Sequence, residues 1–253
     1  MRSIKALRGY TLQAVDGDIG RTKDFLFDDV DWAVRYMVAD TGRWIPKRRV
    51  LISPISIGEP DWTARRVPVL LSKQQIQDAP GVSEDEPVSR QHESELLRYH
   101  GYAPYWLGPD VWGGGILPSL LREESLESDD DARGVTTTVR PRPDPHLRSV
   151  EEVVGYEVKA KDDEVGRVAD FIVDDESWIV RYVVVETGGW RSARKVLVAP
   201  DWFIEFDWGR ATAVVDLTRD QIEAGPEYDP ALTIDRSFEA RLYDRLGRTS
   251  YWD

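Results

Sequence analysis

The chain has 253 residues, 41% hydrophobic and 31% charged, enough for one large domain or two small ones with real cores. Cysteine is absent, which excludes disulfides, thiolate catalysis and cysteine-ligated zinc or iron–sulfur centres. With 33 basic and 46 acidic residues the net charge is -13, the opposite of the basic footprint that non-specific nucleic-acid binding needs.

Residues 1–10 contain no apolar core of a secretory signal, and no later run approaches the roughly 18 apolar residues of a membrane span, so a cytoplasmic location is expected. A turn at Asp16-Gly17 leads into a strand over residues 20–27. The acidic stretch 28–31 reads as a hairpin turn. After it, Trp32, Val34, Tyr36 and Val38 alternate with Ala33, Arg35, Met37 and Ala39, the period of a half-buried strand. Thr41-Gly42 closes the next turn, residues 49–52 form a short strand ended by Pro54, and residues 67–71 form another. Ser72 and Gln75 have capping-box spacing, which predicts a short helix broken at Pro80; a second helix is expected over residues 90–99.

The same signals return at a fixed offset of 146 residues without a gap. Gly20-Arg21 answers to Gly166-Arg167, Asp24-Phe25 to Asp170-Phe171, Asp28-Asp29 to Asp174-Asp175, and Val34-Arg35-Tyr36 to Val180-Arg181-Tyr182. Thr218 and Gln221 repeat the capping box, with a break at Pro226 and a final helix over residues 236–246. About a third of the paired positions are identical, which marks a duplication. A unit of about 106 residues is too long for a solenoid repeat, so each copy is expected to be a domain, over residues 1–106 and 148–253. Five or six short strands per copy predict two small antiparallel barrels, each with a short helical C-terminal tail. Residues 107–147 between them hold Gly113-Gly114-Gly115, a stretch of helical character over 117–126, the acidic run 128–131 and alternating prolines at 141–145. They read as a flexible linker.

Eight of the ten tryptophans form repeat pairs, Trp32/Trp178, Trp44/Trp190, Trp62/Trp208 and Trp106/Trp252, and core packing is expected for the first three pairs. Surface charge diverges: residues 1–106 carry 15 basic and 15 acidic side chains, whereas residues 147–253 carry 14 and 23. Such divergence accompanies different neighbours.

The segment Gly20-Arg21-x-x-Asp24-Phe25-Leu26-Phe27-Asp28-Asp29-x-x-Trp32-x-Val34-Arg35-Tyr36-x-Val38-x-x-Thr41-Gly42-x-Trp44, ending in Val50-Leu51-Ile52-Ser53-Pro54, resembles the PRC-barrel family, and the pattern recurs from Gly166 to Pro200. The closest likeness is to stand-alone soluble bacterial members, whose tail resembles Gln75-Ile76 through Ser89-Arg90 to residues 102–106. The family includes the cytoplasmic domain of the photosynthetic reaction-centre H subunit and the C-terminal domain of a ribosome maturation factor. The resemblance therefore implies a small β-barrel but no single role, because such folds host unrelated functions. The second tail, Gly247-Arg248-Thr249-Ser250-Tyr251-Trp252, departs from Gly101-Tyr102-Ala103-Pro104-Tyr105-Trp106.

No Walker A loop, no Gly-x-Ser-x-Gly and no dinucleotide fingerprint is present, so no catalytic or cofactor residue is assigned and no enzyme is expected. His92, His100 and His146 are read as outside any metal or catalytic site. Asp28, Asp29, Asp174 and Asp175 are the candidate calcium ligands, in turns that aspartate also favours for its own backbone hydrogen bonding. Asp24/Asp170 and Arg35/Arg181 are expected to form an internal polar pair in each copy. Lys47, Arg48, Arg49, Tyr102, Tyr105 and Trp106 are the candidate partner-binding residues. The expected function is that of a protein-interaction or adaptor module, acting through a protein partner or self-association, with stress-related character implied by the resemblance. A ribosome-assembly or RNA-processing accessory and a reaction-centre-associated electron-transfer accessory are the alternatives.

Overall fold

The computed structural model describes residues 1–42, 44–45, 48–83, 86–127, 146–188 and 193–252; the side chains of residues 48 and 124–127 are outside that description. Lys47, Trp190 and the 128–131 and 141–145 stretches lie outside the described residues. In the first half the elements are β1 (Arg2–Ser3), α1 (Ile4–Leu7), β2 (Thr11–Ala14), β3 (Gly17–Asp28), β4 (Val34–Asp40), β5 (Arg48–Ile52), β6 (Arg66–Pro68), α2 (Lys73–Asp78), β7 (Val82–Ser83), α3 (Arg90–Tyr99) and α4 (Pro118–Glu127). In the second they are β8 (Leu147–Ser149), α5 (Val150–Val153), β9 (Glu157–Lys159), β10 (Glu164–Val173), β11 (Val180–Thr187), β12 (Arg194–Val198), β13 (Phe203–Asp207), β14 (Thr212–Val215), α6 (Arg219–Ala224) and α7 (Arg236–Leu246).

The protein is mainly β, with two seven-stranded sheets in two compact units. The first unit holds residues 7–149 and the short stretch Glu176–Ile179; the second holds Met1–Ala6, Val150–Asp175 and Val180–Asp253. In the first unit the strand order is β6-β2-β3-β4-β5-β7, with β8 added on β3. In the second it is β12-β11-β10-β9-β14-β13, with β1 added on β10. The expectation of purely antiparallel barrels is corrected: β2 runs parallel to β6, β9 runs parallel to β14, and among the described residues neither hydrogen-bonded path closes on itself. Each parallel pair brings together strands far apart in sequence, with room for the crossover that a parallel pairing needs.

Register repeats with the sequence. Between β3 and β4 the ladder slips at Thr22/Asp24 and Leu26/Phe27; between β10 and β11 it slips at Val168/Asp170 and Ile172/Val173, the positions 146 residues on. Bulges of this kind bend a strand and sharpen its twist. Gly20 and Gly166 are required for the close crossing of the same strands: an added Cβ would lie 2.1 Å from the Asp40 carbonyl oxygen and 1.9 Å from that of Glu186. Trp32 and Trp178 both take left-handed backbone angles, φ 53° and 59°, to complete the acidic hairpins.

Both capping boxes form. Ser72 and Thr218 accept from the amides of Gln75 and Gln221, and the glutamine side chains accept in return from the cap amides. The core of the first unit gathers Leu26, Tyr36, Val38, Leu51, Val82 and Leu96, with Leu147 of β8 packed against it. The expected half-buried strand is instead buried on both faces: Val34 to Ala39 are all buried, including Arg35. Residues 107–127 of the expected linker are ordered. They form a short 3-10 turn ending at Leu107, a tight turn around Gly113 and α4. Among the tryptophans, Trp178, Trp112 and Trp202 are buried, whereas Trp32, Trp62 and Trp208 are only partly so.

Each sheet receives a strand from residues that precede the other copy. Arg2 pairs its backbone with Val173 and Ser3 with Ile172; Ser149 pairs with Leu26 and Arg148 with Phe27. Side chains follow the same equivalence. Ser3 Oγ donates to Asp170 and Ser149 Oγ to Asp24. Arg2 meets Asp175 at 3.1 Å, and Arg148 meets Asp29 at 2.8 Å.

Candidate functional site: a stacked arginine at the hairpin base

The feature that both copies build from polar residues lies at the base of the acidic hairpin. In the first unit Arg35, second residue of β4, is completely buried. A buried guanidinium needs acceptors for its donors and a counter-charge. Arg35 donates to Asp31 Oδ2 at 2.9 Å, lies 3.7 Å from Asp28 Oδ2, and donates to the Val111 carbonyl at 2.6 Å. Its plane rests 3.8 Å from the Tyr105 ring centroid and 4.8 Å from that of Trp112. Such stacking suits arginine because its flat, weakly hydrated cation loses little on leaving water for an aromatic face.

Trp112 is fully buried, and its Nε1 donates to the Ser177 carbonyl at 2.7 Å. Its turn is held by Trp112 N donating to the Gly115 carbonyl, with Gly113 at φ +74°. Beneath lies a second polar layer. The Tyr105 hydroxyl donates to Glu93 Oε2 at 2.7 Å and accepts from Arg90, while His146 Nε2 approaches Glu93 Oε1 at 2.8 Å. Burial, then the Glu93 carboxylate, pushes the Tyr105 phenol well above its ordinary value, so it stays a donor.

In the second unit Arg181, Tyr251, Glu239 and Arg236 stand at the equivalent places. Tyr251 donates to Glu239 at 3.0 Å, and Tyr182 donates to the same oxygen at 2.7 Å. Arg236 stacks 4.0 Å from the Trp252 ring, as Arg90 does 4.2 Å from Trp106. In both tails the Tyr and Trp rings meet edge to face at 4.9 Å, so the altered spelling of the second tail preserves the aromatic pair. The arginine differs. Arg181 lies 3.5 Å from Asp174 and 4.6 Å from the Tyr251 ring, Ser177 stands in sequence where Asp31 stands in the first copy, and the buried Arg181 Nε has no hydrogen-bond partner among the described residues.

The sequence-level candidates fall into three groups. Asp28 is buried, faces Arg35 and accepts from the Val30 and Asp31 amides; Asp29 binds Arg148, Asp174 faces Arg181 and Asp175 binds Arg2. Each of these four carboxylates therefore faces a cation, and among the described residues no cluster of three or more acidic or histidine side chains is arranged to hold a metal. Burial, partly offset by Arg148, raises the Asp29 carboxyl above its ordinary value. The expected Asp24–Arg35 pairing is corrected: Asp24 accepts from Ser149, because the slip at Thr22/Asp24 turns it towards β8, and Arg35 takes the hairpin carboxylates instead. Of the candidate partner residues, Tyr105 is buried in the site, Trp106 flanks it partly buried, and Tyr102 accepts from Ser56 at 3.1 Å. Arg48 and Arg49 lie on β5; Arg49 lines a small cavity with Leu96 and His100, and the His100 ring lies 6.1 Å from that of Tyr102. Trp112, His146 and Glu93 carried no sequence signal as site residues; the only hint was a tryptophan set beside three glycines.

Residues 145–224 match the PRC-barrel domain family, and a PRC-barrel domain is thereby found in the second copy. The match begins just before β8 and ends at α6, so it takes in Asp174 and Arg181 of the hairpin site and stops short of the aromatic tail. No curated protein matches the chain. Among the described residues no helix is long and apolar enough to cross a membrane.

Proposed function

We propose that this chain is a non-catalytic protein-interaction module of adaptor type, built from two PRC-type barrels in tandem. One observation carries the reading: the hairpin arginine of the first unit holds a piece of polypeptide, through a carbonyl at 2.6 Å and a stacked tryptophan, and the second copy repeats the arginine and its aromatic floor. Chemistry of this kind recognises a peptide segment rather than transforming a substrate. Among the described residues the carboxylates nearby, Asp31, Glu93 and Glu239, are engaged with cations or hydroxyl donors, which suits holding a segment better than acid–base work.

The test is affinity purification of the tagged chain from its host at low and moderate salt, with identification of what remains bound. A stoichiometric protein that survives moderate salt supports the adaptor reading. Recovery of ribosomal components that leave with salt replaces it with a ribosome-assembly role, since counter-ion release weakens phosphate contacts steeply. Recovery of the chain alone withdraws the partner claim.

A further inference from the structure

We propose that the open arginine of the second unit, Arg181 on the face of Tyr251, is a docking site for a tryptophan-bearing turn of a partner protein. The proposal rests on the adaptor reading and names its surface and the chemistry of its ligand. The template is internal. At the equivalent place in the first unit, Val111–Trp112 covers Arg35 and Tyr105, both of which are buried.

The equivalence is geometric as well as sequential. Arg35 and Arg181 are the second residues of β4 and β11, whose ladders carry the same two slips. The floors match too, since each Tyr hydroxyl is anchored on the buried glutamate of the helix before it, Glu93 or Glu239. What differs is the cover. The Arg181 side chain is 23% exposed and Tyr251 41%, against 0% and 2% for Arg35 and Tyr105. Among the described residues none supplies a carbonyl to Arg181, and its buried Nε has no partner. With Ser177 in place of the Asp31 carboxylate, Asp174 at 3.5 Å is the counter-charge of Arg181 among the described residues, so guanidinium donors are left over for a ligand carbonyl. An incoming tryptophan gains the cation–π contact and buries the exposed Tyr251 ring. The acid excess of the second copy favours basic residues flanking that turn.

The probe is a synthetic peptide with the sequence of residues 107–116, carrying two lysines at each end. It is titrated into the full chain by calorimetry, beside the same peptide with Trp112→Ala. The expected result is saturable binding with a Kd below about 1 mM, weakened at least about tenfold by the peptide substitution and by Arg181→Ala in the protein. No saturation at 1 mM, or binding indifferent to both changes, overturns the proposal. The peptide control needs no altered protein, so a folding defect in Arg181→Ala leaves the test intact. Repeating the affinity purification with Arg181→Ala separates the two readings. Partners retained by that variant sink the docking site and spare the adaptor reading; a peptide that binds when no partner is recovered does the reverse.

Discussion

In the first unit the hairpin arginine has left water altogether, pinned between two carboxylates and two aromatic rings with a main-chain carbonyl on its edge. In the second it keeps one carboxylate and one ring and remains partly wet. The bulges, the close glycine crossings and the Tyr–Trp tails are otherwise the same. Three local differences thus convert one scaffold feature from a structural anchor to an accessible surface: Asp31 against Ser177, the covering turn at Trp112, and His146 beside Glu93. A fully buried charge is expensive to leave unpaired, whereas a partly exposed one costs less.

That contrast is most easily broken at the arginines. Arg35→Ala is expected to cost about 3–5 kcal/mol, because Asp28 and Asp31 lose their buried partner. Arg181→Ala is expected to cost about 1 kcal/mol or less. Urea unfolding of both variants measures the gap, and equal losses would contradict the sealed-against-open distinction. The glycines probe the shared scaffold. Gly20→Ala and Gly166→Ala should each destabilise by roughly 2–4 kcal/mol, since backbone carbonyls within about 2 Å of the new Cβ must move. A mild effect at one of them would mean that its two strands cross less closely.

Smaller effects sharpen the comparison. Ser3→Ala and Ser149→Ala remove equivalent hydroxyls from Asp170 and Asp24, and each should lower stability by about 1–2 kcal/mol in the same unfolding assay. A cost at Ser149 alone would argue that β1 does not pair with β10. A pH dependence carried by histidine belongs to the first copy, where burial lowers His100 from 6.5 to about 4. Since its folded value lies below its unfolded one, the unfolded chain binds the extra proton between them. Stability contributed by neutral His100 is therefore complete above pH 6.5 and declines as pH falls towards 4. The thermal midpoint of His100→Gln should fall less than that of the parent between pH 7 and pH 5, and parallel curves would remove the effect.

Much of this architecture could be read from residues alone. Alternation from Trp32 to Val38, the acidic turns and the capping boxes at Ser72 and Thr218 are local signals, and the offset of 146 doubles each of them. The failures are non-local. Two or three residues, as in β1 and β8, carry too little periodicity to announce a strand, and nothing in a pattern tells which distant strand they will join. Strand direction is likewise silent in sequence, so the expectation of antiparallel barrels misses the parallel β2–β6 and β9–β14 pairs. Arg35 reads as half of an internal polar pair with Asp24, but its burial depends on Tyr105 and Trp112, which arrive 70 and more residues later. Trp112 lies outside the matched repeat, beside glycines that read as linker, so the duplication does not single it out.

The crossing of β1 has a consequence for synthesis. Ser3 and its acceptor Asp170 are separated by 167 positions, and at about 5–20 residues per second a ribosome needs roughly ten to thirty seconds to make the interval. Throughout that time the first strand has been made and its ladder has not. The Ser149–Asp24 pair makes the opposite demand, since its sheet awaits only one late strand and is complete soon after residue 149 emerges. β1 thus waits for β10 to be made before it can be laddered, whereas β8 emerges to find β3 already in place.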